Sequence, residues 1–309
     1  MDVQEIREKD FSAHRRNLLL LFVRIGEILC LKIHRNRTKG GERCEFLPFF
    51  CLLWGFSRGK GVFLHAKYLV GMKYAVIAAG EGSRLAQEGV TQPKPLVCLA
   101  GEPMIDRLLR IFRENGAERV SLIVNTLHPE TEAHVRELMA SGKAGVEVDL
   151  VVKSTPSSMH SFFELAPSLE GSDFCLTTVD TIFREKEFSD YIRAFQSCKE
   201  DGMMAVTDYI DDEKPLYVGV DEEMNITGFF DSKQEDSRYV SGGIYCLRGS
   251  ALRTLYRCMA EGQSRMRNFQ RGLIEDGLRL KAYCMSKVLD VDHAEDIRKA
   301  EEFLIQAQR

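Results

Sequence analysis

Residues 74–84 read YAVIAAGEGSR, and residues 92–96, a few positions on, read QPKPL. The first stretch decides the fold. Lys73 to Ala79 (KYAVIAA) is a short, β-prone apolar run ended by Gly80, the pattern of a strand buried on both faces. Beyond it strands and helices alternate. MIDRLLRIFRENG (104–116) has helical spacing and a glycine stop, RVSLIVN (119–125) reads as a strand, and ETEAHVRELMASG (130–142) as a helix. VEVDLVV (146–152) and DFCLTTVD (173–180) are again strands. This order predicts right-handed βαβ units in the α/β class: a doubly wound αβα sandwich on a mainly parallel mixed sheet, with ligands at the carboxyl ends of the strands.

Composition sets the limits. The 309 residues are 44% apolar and 28% charged, the balance of a soluble globular protein. Nine cysteines without a Cys-x-x-Cys pair and seven histidines without metal-ligand spacing suggest neither a disulfide framework nor structural zinc, and favour a reducing cytoplasm. The net charge of −4 is unevenly spread: residues 1–71 hold 13 Lys/Arg against 7 Asp/Glu, leaving 29 against 39 beyond. An acidic body without a basic stripe gives no reason to expect nucleic acid as a partner.

Residues 1–71 read as an atypical extension. The apolar run at 17–33 carries Arg24 and Glu27, and that at 46–56 is far shorter than the roughly 20 residues a membrane span needs. Neither predicts firm membrane association, and no signal-peptide cleavage pattern is clear. Two readings stay open: translated upstream sequence ahead of a start at Met72, or a peripheral membrane-binding segment. Residues 72–309 form the second unit, expected to be one domain with an acceptor-binding part inserted after Asp180.

The turn Gly80-Glu81-Gly82-Ser83-Arg84 has two glycines of a dinucleotide fingerprint but Leu85 in the place of the third, and no Gly-Lys-Ser/Thr follows to make a Walker loop. It still lets backbone amides approach a polyphosphate, with the Ser83 hydroxyl and the Arg84 charge beside them. Pro93 and Pro95 fix their own φ and bias the preceding residue toward extended geometry, so Lys94 is presented from a stiff segment.

Taken together, AAGEGSRL…QPKPLVCLAGEPMI resembles the signature of the sugar-1-phosphate nucleotidyltransferases, the NDP-sugar pyrophosphorylases. The likeness continues at VSGGIYCLRGSAL (240–252) and through residues 268–283 and 288–304, covering essentially all of 72–309 and none of 1–71. The resemblance implies a Rossmann-like nucleotidyltransferase fold and a Mg²⁺-dependent enzyme, in which a sugar-phosphate oxygen attacks the α-phosphorus of an NTP and pyrophosphate leaves. A phosphate monoester, with a second pKa of about 6, is already anionic at neutral pH, so such a site needs no general base.

By the same resemblance, Arg84 and Lys94 are the catalytic cations, with Ala78, Ala79, Gly80, Glu81, Gly82, Ser83 and Ser158 around the nucleotide. Gly242 and Gly243 fall at the sugar phosphate, and Asp180 and Asp292 bind magnesium, with Asp290 able to replace or assist Asp292 on the same side of an extended strand. The chain departs from the family at Val179, where glycine is usual, between Arg84 and Pro93, and at Ser154–Ser161, where serines replace a glycine-rich base-reading stretch. His160 reads as structural, and Arg248, Arg265, Arg267 and Arg271 as either an acceptor-phosphate site or a solvated face. The alternatives are a cytidylyltransferase acting on a phosphorylated alcohol such as phosphocholine, a silent nucleotide-sugar-binding regulator, and a glycosyltransferase using Asp290-Val291-Asp292. The sequence leaves oligomeric state open. Because every residue given a chemical role lies beyond Met72, a chain started there is expected to be soluble and fully active; insolubility or lost turnover of that shortened chain would show that residues 1–71 fold onto the domain.

Overall fold

The computed structural model describes residues 72–307 apart from 212, 213 and 236. The reading of residues 1–71 lies outside the described residues. Nine strands form the main sheet: β1 Lys73–Ala78, β2 Arg119–Val124, β3 Glu147–Val152, β4 Phe174–Thr178, β5 Gly202–Thr207, β6 Tyr217–Val220, β7 Ile226–Phe230, β8 Tyr239–Leu247 and β9 Leu280–Cys284. The order along the sheet is β7-β6-β8-β4-β1-β2-β3, with β5 paired to β8 and β9. Strands β3, β2, β1 and β4 run parallel, the half read from the alternating sequence. β8 is antiparallel to β4, β5 and β6, which makes the sheet mixed. The chain after Asp180 therefore extends the same sheet instead of forming a separate insert.

The helices are α1 Ser83–Gln87, α2 Met104–Glu114, α3 Pro129–Ser141, α4 Ser158–Leu169, α5 Glu185–Ser197, α6 Leu252–Ala260, α7 Met266–Glu275 and α8 Ala294–Ala307. Alternation along β1 sends side chains to two cores. Tyr74, Val76 and Ala78 pack with Leu108 and Phe112 of α2 and Phe188 and Tyr191 of α5, whereas Ala75 and Ile77 pack with Phe162 and Leu165 of α4 and Phe269 of α7. Ring contacts of 4.7 Å (Tyr74–Phe112) and 5.2 Å (Phe162–Phe269) mark the centres of the two layers. Helices on both faces of a sheet make the αβα sandwich expected. Among the described residues no helix is long and apolar enough to cross a membrane.

The sheet order reverses beside β1: β2 lies on one side and β4, reached through a long crossover, on the other. A crevice opens at such a switch point, outside the carboxyl ends of the strands. The antiparallel half of the sheet is tied to its covering helix by Tyr191 of α5. Its buried hydroxyl donates to Met203 O at 2.6 Å and accepts from Cys246 N at 2.9 Å, joining α5 to β5 and β8. Tyr191→Phe strands those backbone groups, so we expect a loss of about 1–3 kcal/mol in urea unfolding with the crevice at the switch point left in place; an unchanged unfolding midpoint would show the hydroxyl to be idle.

Candidate active site

Four charged side chains from distant parts of the chain meet at the switch point. Lys94 Nζ donates to Asp180 Oδ2 and, at 2.7 Å, to Asp292 Oδ1; Arg84 Nη1 donates to Asp292 Oδ2 at 2.8 Å. The Lys94 side chain is only 10% exposed and that of Asp180 18%, while Asp292 is 42% exposed. Burial by itself opposes charge on Lys94 and Asp180. The lysine's two carboxylate partners more than offset it and raise the ammonium above its usual range. In the same way the Lys94 charge and the hydrogen bonds from Lys94 and Thr178 hold the buried Asp180 carboxyl below its usual range. Both groups are therefore ionised across neutral pH.

Local structure explains the convergence. β1 ends in Gly80-Glu81-Gly82, and Gly82 turns the chain with φ 66° and ψ 22° into α1, which starts at Ser83 and carries Arg84. A Cβ on Gly82 would lie 3.1 Å from Lys94 Cβ, so the turn and the lysine segment are pressed together. Pro93 has the φ that its ring imposes (−54°) and an extended ψ of 138°. Lys94, however, opens a 3₁₀ turn over Lys94–Leu96 instead of staying extended: Leu96 N bonds Pro93 O at 2.8 Å, and Pro95 is buried behind it. Stiffness survives, in a different conformation from the one expected.

Asp180 stands one residue beyond the last β4–β1 bond, Val179 N to Ile77 O at 3.0 Å. Val179 is buried, so a valine in place of the usual glycine leaves Asp180 at the strand end. A short antiparallel ribbon of Thr181–Ile182 with Leu289–Asp290, extended by Val291 N to Asp180 O at 3.2 Å, sets Asp292 beside Asp180.

Two clefts flank this cluster. One is lined by Ala78, Ala79, Gly80, Glu81 and Ser158 together with Lys94 and Asp180. The other is lined by Arg84, Gly242, Asp290 and Asp292. Ser83 is exposed at the start of α1, outside the first cleft's lining. Gly242 and Gly243 mark an irregularity in the β8–β5 register, where Gly243 (φ 69°) approaches Thr181 and a Cβ would come within 3.3 Å of its hydroxyl. The ring of His160 bonds Ser157 Oγ at 2.9 Å through Nδ1, at the start of α4. Arg248 lies at the other end of the sheet, bonding Asp173 at 2.6 Å and Cys198 O at 2.7 Å, which removes it from the acceptor candidates. Arg267 and Arg271 both pair with Asp231 in a separate groove, where Arg265 also lies.

Two supporting residues escape a reading of local motifs. Buried Asn125, at the end of β2, donates to Gly80 O at 2.8 Å across the sheet. Glu88 bonds His293 Nδ1 and Ala294 N, each at 2.6 Å, and so ties the loop after Arg84 to the first turn of α8. Their partners lie 45 to 206 positions away in sequence. The nearest sequence signal for Asn125 is an Asn closing an apolar strand.

Comparison with known proteins follows the same outline. A stretch of 34% identity over 116 residues, 37% of this chain and 18% of the relative, is shared with a CMP-5'-(3-aminopropyl)phosphonate synthase of Streptomyces rubellomurinus. A low-salt glycan biosynthesis nucleotidyltransferase of Haloferax volcanii is 22% identical over 241 residues, 76% of this chain and 66% of the relative. The chain thus spans less than two thirds of the length of these curated relatives. Among solved structures, the inositol-1-phosphate CTP transferase of T. maritima superposes with a TM-score of 0.61 at 20% identity, covering 75% of this chain and 97% of that one, a likeness of fold. The nucleotidyl transferase family model matches residues 73–307, the span that carries Arg84, Lys94, Asp180 and Asp292, and the chain belongs to that family.

Proposed function

We propose that the protein joins an NTP and a sugar 1-phosphate to give an NDP-sugar and pyrophosphate, with Mg²⁺. The observation that carries this reading is the meeting of Lys94, Arg84, Asp180 and Asp292 at the carboxyl ends of β1 and β4. An acceptor phosphate oxygen bonds to the α-phosphorus; the bond from that phosphorus to its bridging oxygen breaks, and pyrophosphate leaves with the electron pair. Three anionic groups must crowd together for this. Lys94, in the first cleft, is placed to hold the α-phosphate or the attacking phosphate, and Arg84, on the rim of the second, the departing β- and γ-phosphates. The glycine turn supplies backbone amides to the same chain of phosphates.

The residues present fit magnesium. Asp180 and Asp292 both reach one nitrogen, so their oxygens are close enough to share one ion. Among the described residues no third His, Cys, Asp or Glu completes a protein cage, which suits an ion that takes one or two carboxylates and fills its shell with water and substrate phosphate. Bound there, Mg²⁺ would neutralise phosphate charge. Asp290, on the ribbon beside Asp292, lines the second cleft and is the reserve ligand.

The second cleft, lined by Ser241 and Gly242 at the β8 irregularity and by Thr207, Tyr209 and Asp211, offers hydroxyl-rich company and favours a sugar as the acceptor. A second reading, CTP with a phosphorylated alcohol or phosphonate, is favoured by the serine loop Ser157-Ser158 in the first cleft and by the CMP-phosphonate relative. Both need only small-molecule partners. The six cysteines among the described residues are all free, which suits a cytoplasmic setting.

Pyrophosphate release, measured with each NTP and dTTP against a panel of sugar 1-phosphates, phosphocholine and aminoalkylphosphonates, tests the reading; turnover with CTP and a phosphonate alone would replace the sugar with the second acceptor. With the active pair in hand, Lys94→Ala is expected to lower turnover by about 10² or more, and a near-normal rate would sink the assignment. Asp180→Ala and Asp292→Ala should each abolish most activity, and full turnover in excess EDTA would remove the metal from the mechanism.

A further inference from the structure

The glycine turn is held from outside by two side chains. Asn125 Nδ2 donates to Gly80 O at 2.8 Å, and His128 Nε2 lies 3.1 Å from Glu81 O. Carbonyl oxygens only accept, so His128 carries its proton on Nε2 in this contact, in the neutral or the charged ring. Asn125 also fixes His128. Its Oδ1 accepts from Leu127 N at 3.0 Å and His128 N at 3.1 Å, a tight turn that brings the imidazole back over the glycine turn.

The peptide bonds here are trans, so the N–H of each residue points opposite to the carbonyl before it. With the Gly80 and Glu81 carbonyls drawn toward β2, the Glu81 and Gly82 N–H groups turn away from it. In the sheet, β1 lies between β2 and β4, and away from β2 means toward the side where Asp180 and Lys94 stand. Among the described residues no carbonyl takes either N–H. We infer that Asn125 and His128 are positioning residues that clamp the turn's carbonyls outward and so aim two consecutive amides at the phosphates of the nucleotide. The assignment rests on the nucleotide reading above and adds the device that orients the turn. Without the clamp, a turn containing two glycines has backbone freedom to rotate its peptide planes.

The test separates the clamp from the reading. Asn125→Asp keeps the acceptor for Leu127 and His128 but replaces the donor with a carboxylate facing the Gly80 carbonyl; His128→Ala removes the second donor from a partly exposed loop. Each is expected to raise the NTP KM about tenfold, with the acceptor KM within about twofold; the melting temperature should stay near wild type in His128→Ala and fall in Asn125→Asp, where a buried carboxylate meets a carbonyl. His128→Gln, which keeps an N–H of similar reach, should recover most of the loss. An unchanged NTP KM in both variants, or NTP and acceptor KM rising together with a lowered melting temperature, overturns the clamp. Calorimetric titration of the unaltered protein with each Mg·NTP provides the control: binding that both variants retain in full overturns only the clamp, whereas no binding of any NTP overturns the nucleotide reading and the clamp with it.

Discussion

The arrangement depends on one ammonium held between two carboxylates. Taking a lysine out of water costs several kcal/mol by order of magnitude, and only well-placed opposite charges offset that. Lys94 has two. Because its partners come from the end of β4 and from the ribbon before α8, the contact pins the glycine turn, the central strand and the last helix to one point. Arg84 adds a second bond to Asp292, so two cations face two carboxylates. In the proposed reaction these pairings are exchanged: phosphates take the cations, and the carboxylates become available to a divalent ion.

The position of the cluster follows from the sheet. β1 has a neighbour on each side, so the turn that ends it stands between two other strand ends. Asn125 at the end of β2 takes up the carbonyl side; Asp180 at the end of β4 stands on the other. A one-residue slip between β1 and β4 would put Ala78 and Val179 on opposite faces of the sheet. The two cores therefore stabilise register as well as fold, since Ala78 and Val179 belong to the same packed layer.

The parallel half of the sheet was legible because each of its strands is a short apolar run followed by a helix of 3.6-residue period. β8 was not legible as a neighbour of β4. Its sequence shows a strand, but nothing local says that a segment starting at Tyr239 will lie antiparallel to one starting at Phe174. The same division holds in the site. Arg84, Lys94, Asp180 and Asp292 announce themselves by residue type at a turn, a proline bracket and strand ends. Asn125 and Glu88 act through partners far off in sequence, Gly80 for one and the start of α8 for the other, and such pairings leave no periodic trace. Arg248 shows the reverse error: a basic residue near the paired glycines looked available to an acceptor, yet it serves Asp173 and the carbonyl of Cys198 at the amino end of β4.

The lysine between two prolines and the glycine turn before it are one construction. Gly82 is favoured twice over, by its left-handed φ and by Lys94 Cβ, which an added Cβ would crowd at 3.1 Å. Pro93 delivers the chain in an extended conformation, the Pro93–Leu96 hydrogen bond turns it at once, and burial of Pro95 anchors the turn from below. A lysine on a free loop would lose several rotamers and backbone freedom on gripping an anion; here most of that entropy is already lost in the folded chain. The cost falls on folding, where two cores on either side of β1 supply the stability, and not on binding, where it would weaken the hold on phosphate.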